Sequence, residues 1–124
     1  MFLIALGGGL GALLRFWLDG RVNAAARKAV PGWGVPVGTV AINVIGSLLL
    51  GVVAGWWAFH SGDETWRLML GVGVLGGFTT FSTASVEAAR LILAGRSWAA
   101  AGHAVGMLLA AVAAAWLGLW LGAR

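Results

Sequence analysis

The chain has 124 residues, 60% of them hydrophobic and 10% charged, with a net charge of +4 at neutral pH and a mean hydropathy of +0.94. Soluble domains carry about a quarter charged residues, so these proportions exclude a soluble globular protein and give a polytopic membrane protein in one domain, residues 1–124. The lack of cysteine excludes disulfides, thiolate metal sites and thiol nucleophiles, and in a membrane chain excess Lys and Arg set orientation rather than mark a nucleic-acid partner.

The N-terminal "MFLIALGGGL" has no basic n-region and no clear cleavage site, so it reads as the first span rather than a signal peptide. That span is predicted from Phe2 to Leu18, with Arg15 near its far end and no Asp or Glu within it. The polar stretch after it, "DGRVNAAARKAVPGWG", suits a short separate interfacial helix, ended by Pro31, Gly32 and Gly34. A second span starts near Pro36, a residue accepted in a first helical turn, and ends near Phe59. "HSGDET" is a turn in which Ser61 or Asp63 caps the next helix.

The third span, Trp66 to about Ala94, is too long and too rich in glycine for one plain helix. Gly95 stops it, and a fourth span covers Ser97 to Gly122. Trp33, Trp56, Trp57, Trp66, Trp98, Trp116 and Trp120 fall mostly near span ends, as in an interfacial aromatic belt. The expected fold is therefore an all-α bundle of four transmembrane helices, too small to enclose a wide cavity alone, so size points to an oligomer. Small residues four apart (Gly7 and Gly11, Gly51 and Gly55, Gly102 and Gly106, Gly118 and Gly122) are read as helix-packing positions.

Polar side chains retained in hydrocarbon are costly and mark candidate sites. Thr39, Asn43 and Ser47 share one face of the second span. Asn43 either bonds a neighbouring helix or lines a path. "GGFTTFSTAS", residues 76–85, concentrates Thr79, Thr80, Ser82, Thr83 and Ser85 behind two adjacent glycines. Back-bonding to the preceding turn explains one or two such hydroxyls but not five. Gly71, Gly73, Gly76 and Gly77 each weaken a helix by roughly 1 kcal/mol relative to alanine. The third helix is thus expected to break near Gly76–Thr80, at mid-membrane, where freed backbone groups line a binding or conduction site. Phe81 either packs or turns its electropositive ring edge to an anion. Glu87 is placed to pair with Arg90 at i, i+3. His103, the polar group well inside the fourth span, pairs with another helix or lines a path. No nucleophile–base pair or metal-ligand cluster argues for an enzyme.

"GGGLGALLRF", "GTVAINVIGSLLLG" and "GVLGGFTTFSTASVE" resemble the signature segments of the bacterial fluoride channels, the CrcB or Fluc family, and the likeness runs through all four spans. It implies a subunit that forms an antiparallel dimer in the cell's inner, cytoplasmic membrane and lets fluoride leave passively. HF crosses lipid as the neutral acid and dissociates inside, so a cell needs such an exit. The resemblance also implies a structural sodium ion held by backbone carbonyls at the break, which fall on Gly76 and Thr79. It places Asn43, Phe81, Thr39, Ser82 or Thr83, and His103 along the fluoride pathway.

This sequence departs from the family pattern at three points. Ala84 stands where a second aromatic is common. The polar stripe of the fourth span, a tyrosine followed by small hydroxyl residues, aligns with His103, Met107, Ala111 and Ala115. Basic residues are unequally divided: Arg21, Arg27, Lys28, Arg90 and Arg96 on one side against Arg67 and Arg124 on the other. A dual-topology homodimer is favoured over pairing with a homologous subunit. The competing reading, a small proton-coupled drug exporter, needs an acid in the first span.

Overall fold

The structure, a computed structural model, describes residues 1–29, 36–60 and 62–124. The expected chain breaks at Pro31, Gly32 and Gly34, Trp33 of the aromatic belt and the Ser61 cap lie outside the described residues. Among the described residues every regular element is helical: α1 (Phe2–Ala29), α2 (Val37–Phe59), α3 (Glu64–Arg67), a π-helical stretch (Leu68–Leu75), α4 (Gly76–Phe78), α5 (Phe81–Leu93) and α6 (Ser97–Gly122). Among the described residues, four stretches are long and apolar enough to cross a bilayer: α1, α2, the composite third span Glu64–Leu93, and α6.

The first span is longer than its hydropathy shows. α1 runs without interruption from Phe2 to Ala29, so the separate interfacial helix does not form. A single glycine, Gly20, costs about 1 kcal/mol against alanine, too little to end a helix whose next residues include Ala24, Ala25 and Ala26. The extension brings an acid, Asp19, into the first helix. Asp19 Oδ1 accepts from Asn23 Nδ2 (2.8 Å), and Asn23 Oδ1 accepts from the Gly38 amide (3.0 Å). Pro36 precedes α2 and offers no side-chain cap. Asn23 therefore caps α2 from a neighbouring helix, satisfying one of the amides that a helix start leaves without a partner.

The composite third span opens at Asp63, whose carboxylate accepts from the Thr65 amide (2.7 Å). Glu64 and Arg67 form an ion pair one turn apart. The wider π turns that follow span Gly71 and Gly73. Helical geometry is then lost at two residues: Thr79 has ψ 157°, and Thr80 has φ −149° and ψ 122°, extended conformations between α4 and α5. Gly95 closes α5 at φ +75°, a left-handed conformation suited to glycine.

Close backbone approach organises the bundle in two parallel pairs. α2 lies along α6: an added methyl at Gly51 or Gly55 would run into the Ala115 or Leu119 carbonyl, and one at Gly118 or Gly122 into the Leu48 or Val52 carbonyl. α1 lies along the third span in the same way, with Gly11 against the Val74 carbonyl and Gly77 against that of Gly8. Without a hydrophobic force between helices in lipid, such contact supplies van der Waals attraction instead. The Gly102 and Gly106 pair differs from the expectation: among the described residues, a methyl added at either would meet nothing within 4 Å. The core proper is small. Ile42 and Thr39 are its largest fully buried side chains, while most large apolar residues face outward.

Candidate functional site

The site forms where α1, α2, α5 and α6 meet the extended pair Thr79–Thr80. An extended residue inside a helical bundle presents an amide and a carbonyl without helical partners. Asn43 meets both: its Oδ1 accepts from Thr80 N (2.9 Å) and its Nδ2 donates to Thr80 O (3.0 Å). A primary amide has this donor–acceptor pair in the geometry of a peptide group, so α2 holds Thr80 as a neighbouring strand would. A second Asn43 donor contact reaches Met107 Sδ on α6 at 3.4 Å.

The Thr80 hydroxyl then starts α5. It accepts from the Thr83 amide (3.2 Å), donates to Thr83 Oγ1 (3.1 Å) and lies 3.3 Å from Ser82 Oγ. Thr79 Oγ1 donates back to Leu75 O (3.1 Å), which ties off the helical segment before it. In an unbroken helix the Thr80 and Thr83 amides would donate to the Gly76 and Thr79 carbonyls. Here they go to Asn43 Oδ1 and Thr80 Oγ1.

Beside this joint lies a cleft of about 220 Å³ lined by Arg15, Phe16, Asp19, Thr39, Ile42, Thr80 and Thr83. One guanidinium, one carboxylate and three hydroxyls thus share a small space. Behind its wall, Thr39, wholly buried, donates to Glu87 Oε1 (2.7 Å). Glu87 Oε2 lies 3.5 Å from His103 Nε2, within range for charge attraction but outside hydrogen-bond geometry. Among the described residues no ion pair joins Glu87 to Arg90; the carboxylate turns inward to Thr39 and His103 instead.

The expected site residues divide accordingly. Thr39 and Thr83 line the cleft, and Asn43 acts on it through Thr80. Ser82 touches the Thr80 hydroxyl from an exposed position. His103 is buried one layer away, behind Glu87. Phe81 stands apart at 86% exposure, facing away from its own chain. Gly76 is exposed and Thr79 half-buried. Ala84, at the position of the missing ring, is buried. Thr80, Asp19 and Glu87 were not among the expected site residues. The hydroxyl cluster and the expected break near Gly76–Thr80 both pointed to the neighbourhood of Thr80, but neither singled out its side chain.

Fold and site together define an α-helical integral membrane protein with a polar cleft at a non-helical joint of one span. The chain belongs to the family described as CrcB-like protein, Camphor Resistance (CrcB), which it matches over residues 2–119. It is 54% identical to the "Fluoride-specific ion channel FluC" of Novosphingobium aromaticivorans, over 94% of this chain and 90% of that one. It is 50% identical to the "Fluoride-specific ion channel FluC 2" of Cutibacterium acnes, over 100% and 98%. It is 47% identical to the "Fluoride-specific ion channel FluC 1" of Leifsonia xyli subsp. xyli, over 96% and 83%.

Proposed function

We propose that this protein is a passive fluoride channel of the cytoplasmic membrane, which lowers fluoride inside the cell, and that the conducting unit is an antiparallel dimer. The observation that carries the reading is the Asn43 clamp on Thr80 beside the hydroxyl-lined cleft. Fluoride is small and strongly hydrated, and it gives up water only to a close set of donors. Thr83 and Ser82 offer hydroxyls along the approach, with Arg15 supplying positive charge at the cleft, while the hydroxyls of Thr39 and Thr80 hold the wall by donating to Glu87 and Thr83. Asn43 keeps this donor set in register by fixing the joint, which lies at mid-membrane.

Phe81 meets the anion from the other subunit's side of the interface. Its outward exposure within one chain suits a ring covered by a partner. The electropositive ring edge contacts fluoride without adding a full charge. The carbonyls of Gly76 and Thr79 suit a sodium ion: both are hard oxygen donors, and the amides that would otherwise engage them are diverted elsewhere. Two carbonyls fill only part of a cation's shell, and a second copy doubles them. Bound there, the ion would neutralise backbone dipoles at the dimer centre. Conduction down a gradient requires no catalytic group, and Asp19 places one oxygen on Asn23 rather than standing alone as a transporter's acid would.

The test is rescue of a bacterium lacking its own fluoride exporters. Expression of this chain is expected to restore growth in fluoride, and expression of the Asn43→Ala variant at equal membrane abundance is not. Failure of the unaltered chain, both alone and beside a related subunit, would overturn the reading.

A further inference from the structure

Across the described residues, the groups left without hydrogen-bond partners in the interior form one cluster: Glu87 Oε2 and both ring nitrogens of His103. The His103 side chain is 1% exposed and that of Glu87 14%, and they face each other at 3.5 Å. An uncompensated charge at such depth is strongly disfavoured, whereas a pair holding one proton between two bases is neutral overall.

The neighbouring elements leave the pair to itself. α2, the π-helical stretch and α4 contain no titratable side chain, and α6 contains only His103. α5 adds Arg90, which is exposed and forms no ion pair with Glu87. α1 brings Arg15 and Asp19 to the cleft on the far side of Thr39. Loss of the proton therefore adds a second negative charge beside the cleft that Asp19 already lines.

We propose that Glu87 and His103 together hold one exchangeable proton behind the cleft wall, and that releasing it slows the passage of anions. The inference rests on the conduction reading above and makes that conduction pH-dependent. It is particular to this chain, because the fourth-span position where the family pattern has a tyrosine carries His103. A tyrosine there has a single hydroxyl, whereas an imidazole sets a second basic atom beside the carboxylate.

The experiment measures initial fluoride efflux from liposomes containing the purified protein, with equal pH on both sides, from about pH 6 to about pH 9. Efflux from protein-free liposomes is subtracted to remove passage of HF through lipid. The unaltered protein is expected to lose about tenfold in flux as pH rises, the repulsion of one added charge close to the path. His103→Tyr and Glu87→Gln are each expected to flatten the profile. A flat profile in the unaltered protein, with flux well above background, overturns the proposal, as does an unchanged profile in His103→Tyr.

Flux at background throughout overturns the conduction reading instead. The shared proton is then still tested by nitrogen NMR of the imidazole in a His60→Asn background, which leaves His103 as the single histidine. Its ring resonances are expected to move across the same pH interval and to move at a different pH in Glu87→Gln. A ring spectrum unchanged over the interval overturns the proposal.

Discussion

One side chain, Asn43, determines how the third span can bend. Its amide replaces both helical partners that Thr80 gives up. Asn43→Ala would leave a buried amide and carbonyl unpaired, at about 1–3 kcal/mol for each group stranded. Lower thermal stability in detergent, and fluoride flux reduced at least tenfold, are expected of this variant. Asn43→Asp is the sharper comparison, because an ionised carboxylate can still accept from Thr80 N but cannot donate to Thr80 O. Burying that charge against the Thr80 carbonyl should cost more stability than alanine does, with no more flux; a fully active Asn43→Asp would show that the donor half of the clamp is dispensable.

Asn43 and Thr39 were legible as polar residues on one helical face, because spacing alone puts them there. Their partners were not legible. Glu87 lies 48 positions from Thr39, and Thr80 lies 37 from Asn43. Only the packing of α2 against the third span brings them together. The sequence also favoured Arg90 as the neutralising neighbour of Glu87, since local spacing is visible, whereas His103 was legible as an inward polar group but not as the partner of Glu87.

Among the elements, the glycine pattern was legible as a packing code, but its choice of faces was not. Gly51, Gly55, Gly118 and Gly122 sit at the α2–α6 contact, whereas Gly102 and Gly106 have the same spacing and meet no neighbouring helix among the described residues. Gly118→Val should force α6 from α2 and lower stability by about 1–3 kcal/mol, read as a fall in melting temperature. Gly106→Val should leave the folding of the single subunit unchanged. Equal loss in both would contradict the assigned contact.

The reach of α1 to Ala29 was hidden because hydropathy ends near Leu18 while helical propensity does not. The π turns were hidden because glycine signals weakness without specifying the geometry that results.

The start of the third span carries its own pH dependence. Hydrogen bonds from Thr65 hold the Asp63 carboxyl below its ordinary value of 3.8. A depressed carboxyl stabilises the folded state above its unfolded pKa, and that contribution is lost as pH falls through the lower folded value. Below about pH 4 the amides at Thr65 and Trp66 should therefore lose exchange protection relative to their intrinsic rates. Asp63→Ala should show the same low protection at neutral pH, with the rest of the bundle unaffected. Unchanged protection in Asp63→Ala would contradict the cap.

For the whole molecule, the outward surface is as informative as the core. Phe81 is 86% exposed, Gly76 is exposed, and the Gly102–Gly106 face is bare. Lipid accounts for exposed leucine and tryptophan, and the proposed dimer would cover the ring and the glycine backbone left open beside the polar joint. Counting subunits by single-molecule photobleaching in liposomes should give two per particle. A predominance of single-subunit particles would contradict the dimer.

The unequal division of basic residues is the feature that bears on pairing: Arg21, Arg27, Lys28, Arg90 and Arg96 against Arg67 and Arg124. Such asymmetry biases one orientation, so labelling of engineered cysteines from each side of the cell membrane separates a dual-topology homodimer from a pair of related chains. The natural chain contains no cysteine to interfere.

The most direct measurement is fluoride efflux from liposomes into a chloride-free bath, followed with a fluoride electrode, beside the same experiment with chloride. Fluoride release far faster than from protein-free liposomes, with chloride release at background, is the predicted result. Fluoride release at the protein-free rate, with this chain alone and with a related subunit co-reconstituted, would contradict the account.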